Sequence, residues 1–156
     1  MNSSGPRILI GALALSAAGL VGVTQYEGYT GTAVQPLPGD VPTIGFGTTA
    51  GVRMGDKITP PVALARALTD ISKFEGAIKQ CVRVPLHQYE YDAYVSLAYN
   101  IGAARFCDST LVRELNAGNY ESACAHIEDF NKFQGHVQPG LQRRRAGERA
   151  KCEGRQ

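Results

Sequence analysis

The stretch QYEYDAYVSLAYNIG, residues 88–102, carries a strong helix signal. Apolar side chains recur along it at helical spacing, and neither proline nor glycine interrupts the run before its end. Gly102 then closes the run, and glycine is the residue that most often follows the last turn of a helix. We therefore predict a helix over residues 88–101, and the other elements are placed outward from it.

A second long helix is predicted before this stretch. It begins at Thr59-Pro60-Pro61, because threonine caps helix N-termini and proline is tolerated in the first turn. It ends near Cys81, and a helix of about twenty residues is about 30 Å long, enough to connect two lobes. Its apolar stripe consists of Leu64, Leu68, Ile71, Phe74 and Ile78.

The remaining segments complete an α+β fold. Residues 109–116 and 119–130 are expected to form a helical hairpin, and residues 141–152 a basic last helix. Between Glu27 and Gly55 the chain is rich in glycine and proline, with a β-prone patch around Ile44. The pattern predicts a small β-containing N-terminal lobe, joined by the long helix to an all-helical C-terminal lobe.

Charge and cysteine content argue against two kinds of function, nucleic-acid binding and a cysteine metal site. The formal net charge of +2 over 156 residues is too small to indicate nucleic-acid binding. The chain from Gly140 onward is basic, which suits either an anionic polymer or a solvated helix face. The four cysteines, Cys81, Cys107, Cys124 and Cys152, form no C-x-x-C pair, so metal-ligand spacing is absent. They are either buried thiols or two disulfides formed in an oxidising compartment, with three pairings open.

The N-terminus contains the uncharged segment ILIGALALSAAGLVGV, residues 8–23. Spanning a bilayer takes about 20 predominantly apolar residues, so this segment is near the lower limit, and its alanines and glycines weaken it further. Arg7 precedes it and predicts that the N-terminus stays in the cytoplasm. A cleaved signal peptide, a permanent anchor, an uncleaved signal that later leaves the bilayer and a helix of a soluble core are all compatible with this composition.

Two acids near this segment are candidates for hydrolytic chemistry. Glu27 stands at the end of the apolar segment, where partial burial would keep it protonated, as proton donation requires. Asp40 lies in a Pro/Gly turn, where we expect it to be solvated and ionised. Two carboxyls in contrasting environments are typical of glycosidic-bond hydrolysis, and Thr43 could orient the water. An exposed surface pair is the alternative explanation of the same spacing.

Five motifs together resemble the phage-type lysozymes, the endolysins of glycoside hydrolase family 24. In chain order they are YEG, PTIGFGTT, QYEYDAYVSLAYNIG, STLVRELNAGNY and PGLQRRRAGERAKC, between Tyr26 and Cys152. With the N-terminal segment, the chain resembles an endolysin of the signal-arrest-release type. The resemblance implies residues 1–25 as the membrane segment and residues 26–156 as a muramidase domain.

The resemblance also implies site residues. In the family a glutamate donates the proton and a threonine holds the attacking water, which correspond here to Glu27 and Thr43. The family aspartate usually follows the glutamate by nine residues, where this chain has Pro36, so Asp40 is expected to replace it. Asn100 is expected at the substrate cleft, together with an arginine of the last helix that in the family pairs with the glutamate. Of the two candidate arginines the spacing favours Arg144 over Arg145.

The expected partners follow from this family. The substrate is peptidoglycan, cleaved between N-acetylmuramic acid and N-acetylglucosamine, and no cofactor, metal or nucleic acid is expected. A monomer tethered to the host inner membrane by its N-terminal segment would be inactive, and would become active in the periplasm after release. A lytic transglycosylase and a non-enzymatic, membrane-anchored murein-binding protein are the alternatives.

Overall fold

The computed structural model describes residues 5–155. The chain divides into two compact units. Among the described residues, one unit contains 5–20 and 74–155, and we call it the helical unit. The other, Val21–Lys73, is called the β-containing unit. The α+β fold class predicted from the sequence is therefore confirmed.

The β-containing unit is built on a short antiparallel pair. Strand β1, Thr30–Val34, pairs with β2, Thr43–Gly45, and the register between the two ends of the ladder is shifted. One cluster of buried side chains lies around the strands and contains Ala33, Ile44 and Val52, with the half-buried Ile58 packed against it. The β-prone patch predicted around Ile44 is thus confirmed as a strand.

Two helices carry the chain between the units. Helix α1 is Ala17–Glu27, and α2 is Pro60–Cys81. The start and end predicted for the long helix agree with α2, and the backbone N–H of Ala63 donates to the Thr59 carbonyl in its first turn (2.9 Å). The local signals located this helix.

The apolar stripe predicted for α2 is correct at Ile71 and Ile78, which are buried. Leu64 and Leu68 are exposed, and Ala63 and Ala67 are buried in their place.

The apolar segment 8–23 does not form one continuous helix. Ile8 forms an antiparallel bridge with Leu86, a single 3₁₀ turn follows over Ile10–Ala12, and α1 begins only at Ala17. Among residues 5–155 no helix is both long enough and apolar enough to cross a membrane.

The helical unit is organised around α3, Gln88–Ile101. Its helices and strands, in chain order after α3, are α4 Ala103–Cys107, α5 Thr110–Asn116, α6 Tyr120–Ala125, a 3₁₀ turn His126–Phe130, β3 Lys132–Phe133, β4 His136–Val137 and α7 Pro139–Cys152. Helix α3 has the predicted bounds, and Gly102 ends it with φ +93°. Helix α7 begins two residues earlier than predicted because Pro139 occupies its first turn.

Two details of this unit differ from the sequence prediction. The helix expected over residues 119–130 is divided into α6 and a 3₁₀ turn. A short hairpin, β3–β4, occurs in the lobe that we expected to be all helical. Gln134 and Gly135 form its turn with φ values of +48° and +80°, and glycine adopts the second of these without steric cost. Two-residue strands are too short to show an alternating pattern in the sequence.

Helix α3 forms the centre of the helical unit. Its residues from Glu90 to Ala98 are all buried, so this helix is covered on every side. Burial raises the pKa of Tyr91 and of Tyr94, because the phenolate would be desolvated. Both hydroxyls therefore stay protonated, and that of Tyr91 donates to Glu75 Oε1 (2.8 Å).

Two disulfides select one of the three pairings that the sequence left open. Cys81 at the end of α2 is bonded to Cys107 at the end of α4, and Cys124 of α6 to Cys152 of α7. The bridged residues are 26 and 28 positions apart, respectively. Both bridges lie in the helical unit, and the second one attaches the C-terminal helix.

Replacing Cys124 and Cys152 together by alanine is expected to lower the free energy of unfolding by roughly 3–4 kcal/mol, the chain-entropy value for a loop of this size. Urea denaturation of the oxidised protein measures this change. The Cys81→Ala/Cys107→Ala protein is the matched control, because its loop is nearly as long and its loss should be similar. Equal stability of the parent and the Cys124→Ala/Cys152→Ala protein would contradict the expectation.

Candidate functional site

Glu27 is the last residue of α1, and its side chain is half-buried. Gly28 ends the helix there in the left-handed conformation (φ +68°), with its N–H donating to the Thr24 carbonyl (3.0 Å). The turn after β2 passes close to the carboxyl group. A Cβ placed on Gly47 would be only 3.2 Å from Glu27 Oε2, and Gly47 has φ +88°. Glycine at this position lets the backbone approach the acid.

Asp40 and Thr43 lie on the connection between β1 and β2. Asp40 is exposed, and its backbone N–H donates to the Leu37 carbonyl (3.0 Å). Its own carbonyl accepts from Gln35 Nε2 (2.8 Å), so backbone contacts hold this turn. Thr43 is the first residue of β2, and its hydroxyl faces the Val41 carbonyl at 3.4 Å. Glu27, Asp40 and Thr43 are therefore all residues of the β-containing unit.

A buried charge network occupies the helical unit between α3 and α7. Glu148 Oε1 accepts from Ser96 Oγ (2.7 Å) and from Arg144 Nε (3.1 Å). Glu148 Oε2 lies 3.2 Å from Arg145 Nε. These side chains are at most 8% exposed. A buried carboxylate is tolerable only with such partners, because an unpaired buried charge is strongly destabilising.

Arg145 connects this network to the exposed end of α3. Its Nη2 donates to Asn100 Oδ1 at 2.6 Å, and the arginine itself is fully buried. With Oδ1 occupied as the acceptor, Asn100 presents its Nδ2 as a hydrogen-bond donor. Arg144 is slightly more exposed than Arg145, and its Nη2 donates to the Ser96 carbonyl (3.4 Å). Asn100 and Arg144 are thus both part of one assembly on the helical unit.

Sequence reasoning did not single out several of these residues. Glu148 follows Arg144 by four positions and Arg145 by three on the same helix, which is the spacing of helical ion pairs, so the signal was present. Ser96 is far from Glu148 in the chain, and no local pattern indicates their contact. Gly47 belongs to the glycine-rich stretch before Gly55, but only the fold brings it next to Glu27.

Comparison with known proteins gives a consistent result. The family model described as "Phage lysozyme" matches residues 24–148. An endolysin of Acyrthosiphon pisum secondary endosymbiont phage 1 is 37% identical over 143 residues, covering 89% of this chain and 97% of the relative. A SAR-endolysin of Pseudomonas phage phiKMV is 36% identical over 140 residues, covering 87% of this chain and 86% of the relative.

A solved structure agrees with these relatives. The endolysin from Escherichia coli O157:H7 phage FAHEc1 superposes with a TM-score of 0.82 and 35% sequence identity. The match covers 91% of this chain and 94% of that protein. The lysozyme-like fold expected from the sequence motifs is therefore confirmed.

Glu148→Gln is expected to lower the free energy of unfolding by roughly 3–5 kcal/mol, because two buried arginines lose the charge that balances them. Thermal or urea denaturation measures the loss. Glu128→Gln serves as the control, since Glu128 forms only an exposed pair with Arg149, and exposed pairs contribute little. Similar stabilities of the two variants would show that the network does not stabilise the helical unit.

Proposed function

Because the chain belongs to the phage lysozyme family and is a glycoside hydrolase of the lysozyme type, we propose that it is a phage endolysin acting on host peptidoglycan. The bond cleaved is the β-1,4 link between N-acetylmuramic acid and N-acetylglucosamine. The observation that carries the proposal is the half-buried carboxyl of Glu27, held at the end of α1 with the Gly47 backbone beside it. Two relatives that cover most of the chain are themselves named endolysins.

The proposed reaction is a single displacement. Glu27 donates its proton to the glycosidic oxygen as the bond to the anomeric carbon breaks. A water molecule attacks that carbon from the opposite face, and Asp40 accepts its proton while Thr43 holds its oxygen. In the structure Asp40 is exposed and Glu27 is half-buried at the end of α1, so the two carboxyls lie in contrasting environments.

Asn100 and Arg144 are proposed to bind the substrate. Asn100 is exposed and presents an amide N–H₂, which can donate to a sugar hydroxyl or to an N-acetyl carbonyl. Arg144 is almost fully buried, so its contribution is the positive charge that it and Arg145 maintain beside Glu148. Arg145 orients the Asn100 amide through the 2.6 Å contact.

Control by the membrane is the second part of the proposal. The segment 8–23 first holds the enzyme on the host inner membrane, with Arg7 on the cytoplasmic side, and Glu27 is then too close to the lipid to act. Release into the periplasm allows α1 to form. The phiKMV relative is named a SAR-endolysin, and the two disulfides suit an oxidising compartment.

A lytic transglycosylase is the second candidate. Pro36 stands where the family usually has its aspartate, and a transglycosylase needs only one acid. The two reactions differ in their products, since a transglycosylase forms a 1,6-anhydro sugar and a hydrolase forms a reducing end. A murein-binding protein without activity would form neither.

Glu27→Gln is expected to abolish the release of muropeptides while leaving the thermal unfolding temperature nearly unchanged, because glutamine keeps the shape but cannot donate the proton. Mass spectrometry of digested peptidoglycan measures the products. Asp40→Asn should reduce hydrolysis strongly if Asp40 accepts the proton of the water. Full activity of Asp40→Asn would remove Asp40 from the mechanism, and 1,6-anhydro products would favour the transglycosylase.

Gly47→Ala is expected to lower kcat several-fold, because the new methyl group presses on the Glu27 carboxyl. Gly55→Ala is the matched control, since Gly55 has a similar φ of +93° but no atom within 4 Å of its Cβ position. Both variants should lose about 1–2 kcal/mol of stability from the left-handed backbone. Equal activity of the two alanine proteins, measured well below their unfolding temperatures, would show that Gly47 has no special relation to Glu27.

A further inference from the structure

The N-terminal segment contacts the start of α3 through two buried carboxylates. At the first, Arg7 Nη2 donates to Glu90 Oε1 (2.8 Å) and Arg7 Nε to Glu90 Oε2 (3.1 Å). The guanidinium carbon also lies 3.5 Å from the centroid of the Tyr120 ring. A planar guanidinium can donate two parallel hydrogen bonds to a carboxylate and stack on an aromatic ring at the same time, and the ammonium group of lysine cannot.

The second carboxylate is Asp92. The backbone N–H of Ser16 donates to Asp92 Oδ1 (3.0 Å), and the Ser16 hydroxyl donates to Oδ2 (2.5 Å). The same hydroxyl accepts from the Gly19 N–H (3.0 Å), so Ser16 caps the start of α1 while it is bound to α3. Asp92 is only 5% exposed.

Gly19 is required by the closeness of this contact. A Cβ on Gly19 would lie 2.8 Å from Asp92 Cγ and 2.6 Å from Leu15 Cδ1. Either distance is shorter than carbon atoms tolerate, so a larger residue would force the segment or the Asp92 carboxyl to shift and would weaken this contact. Gly11, in the same segment, has no atom within 4 Å of its Cβ position.

Hydrogen bonds from the backbone also hold the segment in place between Arg7 and Ser16. Ile8 and Leu86 exchange two backbone hydrogen bonds of 2.8 Å, and the Leu15 N–H donates to Glu75 Oε1 (2.7 Å). Side chains two positions apart on a helix, such as Glu90 and Asp92, point about 200° apart around its axis. The segment therefore contacts two sides of the beginning of α3, and in the observed register both acids have partners.

We propose that Glu90 and Asp92 form the docking site that captures residues 7–19 once they have left the membrane, a step that rests on the release model proposed above. From outside the segment, Glu90 accepts a hydrogen bond from the His87 N–H, and Asp92 accepts one from Gln88 Nε2. A purely apolar segment would bury both carboxylates without a cation or a hydroxyl, which is unfavourable. Arg7, Ser16 and Gly19 make the segment fit.

Two properties of the segment serve two different steps. Its weak hydrophobicity permits exit from the bilayer, whereas Arg7, Ser16 and Gly19 determine where it binds afterwards. Arg7 serves in both states, because the charge that keeps the N-terminus on the cytoplasmic side becomes the partner of Glu90 after release.

The test compares Gly19→Ala with Gly11→Ala. Each substitution adds one methyl group, so the apolar character of the segment in a membrane changes equally, and alanine favours helix at position 19. Hydrogen exchange of the purified, oxidised full-length protein is followed by mass spectrometry on peptides from the N-terminal segment. Gly19→Ala should exchange about tenfold faster or more over residues 7–19, since local opening sets the rate. Gly11→Ala should match the parent, and peptides from α5 should not change.

Two further variants, Glu90→Gln and Arg7→Lys, test the proposal even if the Gly19→Ala protein does not fold. Glu90→Gln retains a residue that can cap α3 through the His87 N–H, but it loses the ion pair. Arg7→Lys retains the charge that sets membrane orientation, but it loses the two parallel hydrogen bonds and the stacking. Both should show faster exchange over residues 7–19. After an uncoupler collapses the membrane potential of expressing cells, both should also leave a larger membrane-bound fraction than the parent.

Parent-like exchange in Gly19→Ala, Glu90→Gln and Arg7→Lys would overturn the docking site. The exchange measurement uses no substrate, so it is independent of the muropeptide assay that tests the hydrolase. A Glu27→Gln protein that still cleaves peptidoglycan would refute the proposed catalytic acid and leave the docking result unaffected.

Discussion

The complete burial of α3 from Glu90 to Ala98 is the constraint on which the helical unit depends. A helix covered on all sides cannot leave charged or hydroxyl groups without partners, because their desolvation is then uncompensated. Glu90 and Asp92 are satisfied by the N-terminal segment, and Ser96 by Glu148 of α7. The two ends of the chain are therefore attached to the same central helix by polar contacts that only a correctly assembled unit supplies.

The same constraint places the candidate substrate residues. Glu148 requires cations once it is buried, and Arg144 and Arg145 of its own helix supply them. One guanidinium nitrogen of Arg145 then reaches Asn100, at the exposed end of α3. The disulfide from Cys124 of α6 to Cys152 holds the C-terminal end of α7, the helix that carries Glu148 and both arginines. One set of contacts therefore stabilises the helical unit and orients the Asn100 amide.

In the β-containing unit the candidate acid is held in place by local backbone conformation. Its carboxyl at the end of α1 is approached closely by the backbone of a glycine turn. Two local signals lead to this arrangement, the glycine that ends α1 and the glycines around β2, which adopt left-handed φ values that other residues avoid. The acid is thereby held at the end of a helix, half-buried, while Asp40 lies in an exposed turn.

Local patterns in the sequence were sufficient for the bounds of α2 and α3, for the β-prone patch at Ile44 and for the motif order that indicates the family, because periodicity, caps and turns act between near neighbours in the chain. The sequence could not choose the disulfide pairing, and it could not show that residues 8–23 divide into a bridge, a turn and a helix. Nor could it bring Arg7 to Glu90 or Ser16 to Asp92. These contacts join residues more than seventy positions apart, and only burial in the tertiary structure, which makes each unpartnered carboxylate costly, decides them.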